Sequence, residues 1–120
     1  SWLIGNADMH LKNYSLYAPI CNEYQLTPAY DLLSTALVIP EDTEELALTL
    51  CGKKRKLTRQ HFVEAMIASG LDEKVCDNIF ARFGHILPEW ETCIRQSFLP
   101  EDMQEQYIQL IRNRLSFIIE

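Results

Sequence analysis

The sequence predicts a mainly α-helical chain with one small β-hairpin near its start, and three observations lead there. Apolar residues recur at helical spacing through three stretches that follow residue 58. Two short β-prone runs near the N-terminus flank a turn-like Cys21-Asn22-Glu23. No repeat or low-complexity linker divides the 120 residues, so a single domain is expected.

Residues 2–5 are predicted to be the frayed end of a helix, with Gly5 and Asn6 as stop residues. Residues 8–13 then form a loop. Residues 14–18 and 24–27 are β-prone, and Pro28 ends the second strand because it cannot donate to a ladder. If the two strands pair, their open ends meet, and Asn13 and Asp31 become neighbours. A short helix over 32–38 should end before Pro40, an acidic loop covers 41–45, and 46–50 alternates like a strand that stops at Gly52.

Thr58 has the chemistry of an N-cap for a helix carrying Phe62, Val63, Met66 and Ile67 on one face and stopping at Gly70. A second amphipathic run presents Val75, Ile79, Phe83, Leu87, Trp90 and Ile94, with Pro88 as a kink or break. A last helix starts near Pro100 and should bury Met103, Tyr107, Leu110, Ile111, Leu115 and Ile118.

An apolar content of 48% with 23% charged residues is ordinary for a soluble globular protein. The net charge of −6 argues against broad nucleic-acid binding, which calls for a basic face. No apolar run approaches a membrane span and no signal peptide is visible, so no membrane role is expected. Cys21, Cys51, Cys76 and Cys93 form no close pair and have no histidine at ligand spacing, which disfavours a zinc site and a disulfide framework. Reduced thiols in a cytoplasmic setting are the simplest expectation. Ser1-Trp2-Leu3-Ile4 places apolar residues at the first positions of the chain, and the chain is read as the C-terminal piece of a larger protein.

The chemistry-bearing residues are concentrated in 5–13, Gly-Asn-Ala-Asp-Met-His-Leu-Lys-Asn, and 26–35, Leu-Thr-Pro-Ala-Tyr-Asp-Leu-Leu-Ser-Thr. Asp8, Asn13 and Asp31 are the parts required on the catalytic side of a phosphoryl-transfer site: a base for a hydroxyl and two oxygen ligands for magnesium. His10 and Lys12 add two potential cations, which suit an anionic transition state. The structural alternative is that Asp8 and Asn13 cap turns and Asp31 caps the helix after it.

These two runs, in this order and at this separation, closely resemble the C-terminal lobe of the HipA-like serine/threonine kinases, the toxin kinases of bacterial toxin–antitoxin pairs. The Asp-x-His-x-x-Asn core is also similar to the catalytic loop of phosphatidylinositol kinases, whereas Pro-x-Tyr-Asp-x-x-Ser-Thr favours the HipA-like side. The resemblance is specific over residues 2–35. It implies a helical C-lobe of a kinase-like fold, with 1–35 as catalytic loop, hairpin and metal-binding segment and 36–120 as helical body. It further implies Asp8 as general base, Asn13 and Asp31 as ligands of Mg2+ on ATP, and His10 and Lys12 either near the transferred phosphate or holding the loop. Its implied partners are ATP, a protein substrate and a DNA-binding antitoxin.

No Gly-rich loop, Gly-x₄-Gly-Lys or Val-Ala-Ile-Lys strand is present in the 120 residues. The nucleotide-gripping half of an ATP site is therefore not encoded here, and the chain by itself is not expected to turn over ATP. Two other classes fit the same loop: a lipid or small-molecule kinase, and a non-catalytic interaction module that kept the lobe's shape. The basic run Lys53-Lys54-Arg55-Lys56 is read as a solvated turn, Phe80, Phe83, Leu87 and Trp90 as core, and His61 and His85 as packing or surface residues.

Overall fold

A computed structural model describes residues 1–119. Helices dominate: α1 (Thr35–Val38), α2 (Arg59–Ala68), α3 (Glu73–Arg95) and α4 (Glu101–Ile119) follow a two-stranded antiparallel hairpin, β1 (Leu16–Ile20) and β2 (Glu23–Leu26). Two single-turn 3-10 segments, Trp2–Ile4 and Leu11–Asn13, precede the hairpin.

The long helices start where local chemistry satisfies their free N–H groups. Thr58 caps α2, and its own N–H donates to His61 Nδ1 at 3.0 Å. Asp72 caps α3 by accepting from the Val75 N–H at 2.8 Å. Glu101 and Asp102 lie in the first turn of α4, where the helix dipole favours negative charge. α3 runs through Pro88 without a break, so of the expected kink or break the break does not occur; packing along α4 outweighs the one missing hydrogen bond.

The antiparallel α3–α4 pair and the first residues of the chain build the core. Trp2, Leu3, Leu57, Cys76, Phe80, Leu115 and Ile118 form its larger part, and Ile94, Ile108 and Ile111 a second cluster along the helix pair. Phe80 is core as expected, with Phe83, Leu87 and Trp90 half-buried against it. On α4, Ile111, Leu115 and Ile118 are buried as expected, whereas Met103, Tyr107 and Leu110 are only half-buried. Ile108 and Gln104 take the buried positions instead. The Gln104 amide donates to Leu99 O at 2.8 Å, tying the turn between α3 and α4 to the start of α4.

Three local expectations are corrected. Residues 2–5 are not a frayed end: the first turn is buried, with Trp2 Nε1 donating to Glu45 Oε2 at 2.6 Å and Phe62 against the indole at 5.0 Å. Residues 46–50 form no strand. Leu46, Ala47 and Leu50 turn inward while Leu48 and Thr49 face out, which is not a period-two pattern. The segment is a loop closed by the Glu45 N–H on Lys54 O and by an isolated bridge between Leu50 and Lys53. The helix expected over 32–38 begins only at Thr35, because the backbone of Ser34 ahead of it is extended, with φ −97 and ψ 97.

The basic run is solvated, with Lys54 on Glu44 at 3.1 Å and Arg55 on Thr43 at 3.3 Å. Among the described residues no helix is long and apolar enough to cross a membrane.

Among the described residues two ion pairs link α3 and α4 directly, Arg95 to Glu105 at 2.8 Å and Arg112 to Glu91. Arg112 donates to both oxygens of Glu91, at 2.6 and 2.7 Å, and this holds the Glu91 carboxyl below the usual glutamate range. A carboxylate depressed in the folded state stabilises it at pH values above its unfolded pKa. That contribution is lost as pH falls through the depressed folded value. Glu91→Gln is therefore expected to lower the urea midpoint at pH 7, and its difference from the unmodified chain should shrink as pH falls through the depressed Glu91 value. The pair is partly exposed, so the difference at pH 7 should shrink in 1 M salt, on the order of a 3 Å screening length.

Candidate active site

The hairpin brings the two motif segments together at its root. β1 and β2 pair Leu16 with Leu26 and Tyr17 with Gln25, and the register slips by one before Ile20–Glu23. The slip coincides with Pro19, which has no N–H for the ladder. Asn22 takes the left-handed conformation of the two-residue turn, φ 69. At the open end the ladder gains one more bond, Thr27 N–H to Ser15 O at 2.9 Å.

Beyond it, Tyr30 closes the root. Its hydroxyl lies 2.7 Å from Ser15 Oγ and donates to Lys12 O at 3.1 Å. Next in line, Asn13 Nδ2 donates to Asp31 Oδ2 at 2.8 Å, so the expected neighbours are in direct contact across 18 residues of sequence. Asn13 Oδ1 accepts the His10 N–H at 3.1 Å, which fixes the amide from both ends; Asn13 is buried, while Asp31 is exposed.

A second set of bonds joins 5–8 to 31–36. The Thr35 hydroxyl donates to Gly5 O at 3.0 Å and accepts the Ala7 N–H at 2.9 Å, and the Ala36 N–H also reaches Gly5 O at 3.0 Å. The Asn6 amide donates to Asp31 O at 3.1 Å and accepts the Asp8 N–H at 3.0 Å. Sequence reading took Asn6 as a helix-stop residue and gave Thr35 no task. For Asn6 the available signal was its place two residues before Asp8, the spacing at which an Asn side chain binds the backbone ahead of it.

Asp8 is exposed and lines an open cavity of about 480 Å³ with Thr35, Asp42, Glu44 and Lys54. A smaller cavity of about 150 Å³ lies at the hairpin root beside Asn13. His10 reaches the site through its backbone N–H and Lys12 through its backbone carbonyl, while the Lys12 side chain is exposed. His61 is occupied at the α2 cap, and His85 is exposed on α3.

Among the described residues no three His, Cys, Asp or Glu side chains converge as a metal cluster. What the hairpin root offers is one carboxylate and one amide, both oxygen donors. That set fits magnesium, which binds through one or two protein oxygens, keeps several waters and takes the rest of its shell from substrate phosphates.

The segments that make up this site lie within a match to the family of the HipA-like C-terminal domain, over residues 1–90. The chain belongs to that family. Two curated relatives are similar to it. One, named "Putative kinase Y4dM", from Sinorhizobium fredii, is 43% identical over 76 residues, covering 62% of this chain and 19% of its own length. The other, named "Putative kinase", from Haemophilus influenzae, is 30% identical over 111 residues, covering 88% of this chain and 30% of its own length. The HipA-like segment described here thus spans less than a third of the length of either relative.

Gly5 is the tightest point of the site. Its φ is 74, and a Cβ there would lie 2.7 Å from Ser34 Oγ and 3.1 Å from the Ala36 Cβ. A side chain costs about 1–2 kcal/mol from the left-handed conformation, before any clash. Gly5→Ala is expected to destabilise the fold by about 2 kcal/mol or more, measured by urea unfolding; a loss within ~0.5 kcal/mol, the usual range of neutral surface substitutions, would contradict the packing described.

Proposed function

We propose that this chain is the catalytic-side lobe of an ATP-dependent serine/threonine kinase, which moves the γ-phosphate of ATP to a hydroxyl of a protein substrate. The observation that carries the reading is the contact between Asn13 and Asp31, 2.8 Å apart at the root of the hairpin, with Asp8 exposed on the adjoining loop. The family membership and the relatives' names support the same class of chemistry.

In this reading Asn13 Oδ1 and the Asp31 carboxylate would hold magnesium on the nucleotide. The chemistry magnesium supplies when bound is neutralisation of the charge on the β- and γ-phosphate oxygens. The Asp8 carboxylate accepts the proton of the incoming hydroxyl, and its exposure beside an open cavity leaves room for the segment that carries that hydroxyl. The Asn13 amide is held at the hairpin root with Oδ1 on the His10 N–H and Nδ2 on Asp31, and would offer magnesium the remaining lone pair of Oδ1. Lys12 and His10 support the loop. The reading requires residues beyond these 120 to cover the ATP phosphates, since no Gly-rich loop is encoded here. From the resemblance to HipA-like kinases, we further assign the full protein as the toxin of a toxin–antitoxin pair, restrained by a DNA-binding antitoxin.

The test is phosphoryl transfer from labelled ATP by the full-length protein in the presence of magnesium. Asp8→Ala and Asp31→Ala should each reduce transfer by at least about a hundredfold with the fold intact, the scale of losing a general base or its metal-side counterpart. Asn13→Ala should slow it less completely than Asp31→Ala. Near-normal transfer in the Asp8 or Asp31 variant would sink the site assignment. Label appearing in a lipid or small molecule instead of protein would move the reading to another kinase class.

A further inference from the structure

We propose that Asn6 is a positioning residue, whose buried carboxamide couples the loop of the base to the backbone of the metal ligand and holds Asp31 in its left-handed conformation. The inference rests on the phosphotransfer reading above for its functional half.

Asn6 is 1% exposed, among the most completely buried side chains of the molecule. A buried amide is tolerated only where its polar atoms are paired. Both heteroatoms are paired here, and their partners are the backbone of the two residues assigned to the chemistry: the Asp8 N–H on Oδ1 at 3.0 Å and the Asp31 carbonyl on Nδ2 at 3.1 Å. Asn6 has a donor and an acceptor at this reach. Ionised aspartate keeps the acceptor and loses the donor, and glutamine adds a methylene to a filled site.

Asp31 needs such a restraint. Its φ of 55 is uncommon for a residue with a side chain, and such a conformation persists where its surroundings over-determine it. Two contacts do so: Asn13 holds the carboxylate and Asn6 holds the carbonyl. With the carbonyl fixed on one side, the carboxylate is turned toward Asn13. The bond from Asn6 to the Asp8 N–H ties the same amide to the loop of the base, so both functional carboxylates are referred to one buried group.

The test uses Asn6→Asp, which keeps the acceptor for Asp8 and removes the donor to Asp31, and Asn6→Ala, which removes both, each in the full-length protein. Crystal structures of the variants are the first readout. The proposal expects Asp31 to leave positive φ and the Asn13–Asp31 contact to open in both variants, while the Asp8 N–H stays bound in Asn6→Asp alone. Asp31 unchanged in either variant overturns it.

The second readout is the magnesium dependence of transfer at a temperature where both variants are folded. The concentration for half-maximal rate should rise about tenfold or more in Asn6→Asp, a change that a loss of stability alone would not produce. An unchanged magnesium dependence overturns the functional half. Failure of both variants to fold also overturns the proposal, in favour of a purely structural Asn6. If Asp31→Ala proves active, the phosphotransfer reading fails instead, and the crystal structures still decide whether Asn6 sets the Asp31 backbone.

Discussion

Two segments, 5–8 and 31–36, cross next to the hairpin root, and apart from Thr35 and Ala36 at the start of α1 neither has a helix or sheet to satisfy its backbone. Buried N–H and C=O groups must be paired, so each segment has to serve the other. The Thr35 hydroxyl does this for Gly5 and Ala7, and the Asn6 amide does it for Asp8 and Asp31. The approach is close enough that Gly5 has no room for a Cβ between Ser34 and Ala36. The rest of the site follows from this crossing. Asp8 closes the first segment and Asp31 opens the second, and the hairpin is the loop that leaves from one segment and returns to the other.

The crossing is anchored to the helical body through the residues just before it. Trp2 and Leu3 are buried in the main core, and Arg114 of α4 stacks over the Trp2 indole and donates to its carbonyl. Burial holds the Arg114 guanidinium below its usual pKa, with the Glu45 carboxylate opposing that shift. Glu45 in turn accepts from the indole and from the Lys56 N–H, so the loop after α1 closes over the same anchor. Positions that approach from distant parts of the chain are thereby fixed relative to one long helix. This rigidity is what a site working by orientation and charge requires.

The parts of this arrangement that were legible in the sequence are those governed by local chemistry. Helical spacing, the Thr58 cap and the two β-prone runs around Asn22 were readable because each depends on a few neighbouring residues. The meeting of Asn13 with Asp31 followed from the hairpin alone. What was not legible depends on partners far away in sequence. Leu46 and Leu50 read as alternation, yet their burial is decided by the core they turn toward. Ile108 is central and Tyr107 half-buried because the rotation of α4 is set by α3, not by its own pattern. Asn6 looked like punctuation, since an Asn after a Gly ends helices commonly; only the return of 31–36 gives its amide a second partner. Thr35 was visible as part of a signature, but its hydroxyl has meaning only beside Gly5 and Ala7.

The hairpin itself shows how little of the site's geometry resides in the strands. Every residue of β1 and β2 is exposed, including Leu16, Ile20, Tyr24 and Leu26. An isolated two-stranded hairpin is marginal in water, and this one carries a register slip at Pro19 besides. Its open end is held by a succession of bonds that lies outside the strands: Thr27 to Ser15, Tyr30 to Ser15 and Lys12, and Asn13 to Asp31. The separation of the two candidate ligands is therefore set at the root. Changes in strand length or turn type would leave it intact as long as Tyr30, Asn13 and the crossing below them remain. The constancy that matters for chemistry lies in two short clusters of polar residues, and the 18-residue interval between Asn13 and Asp31 is simply the length of chain that happens to join them.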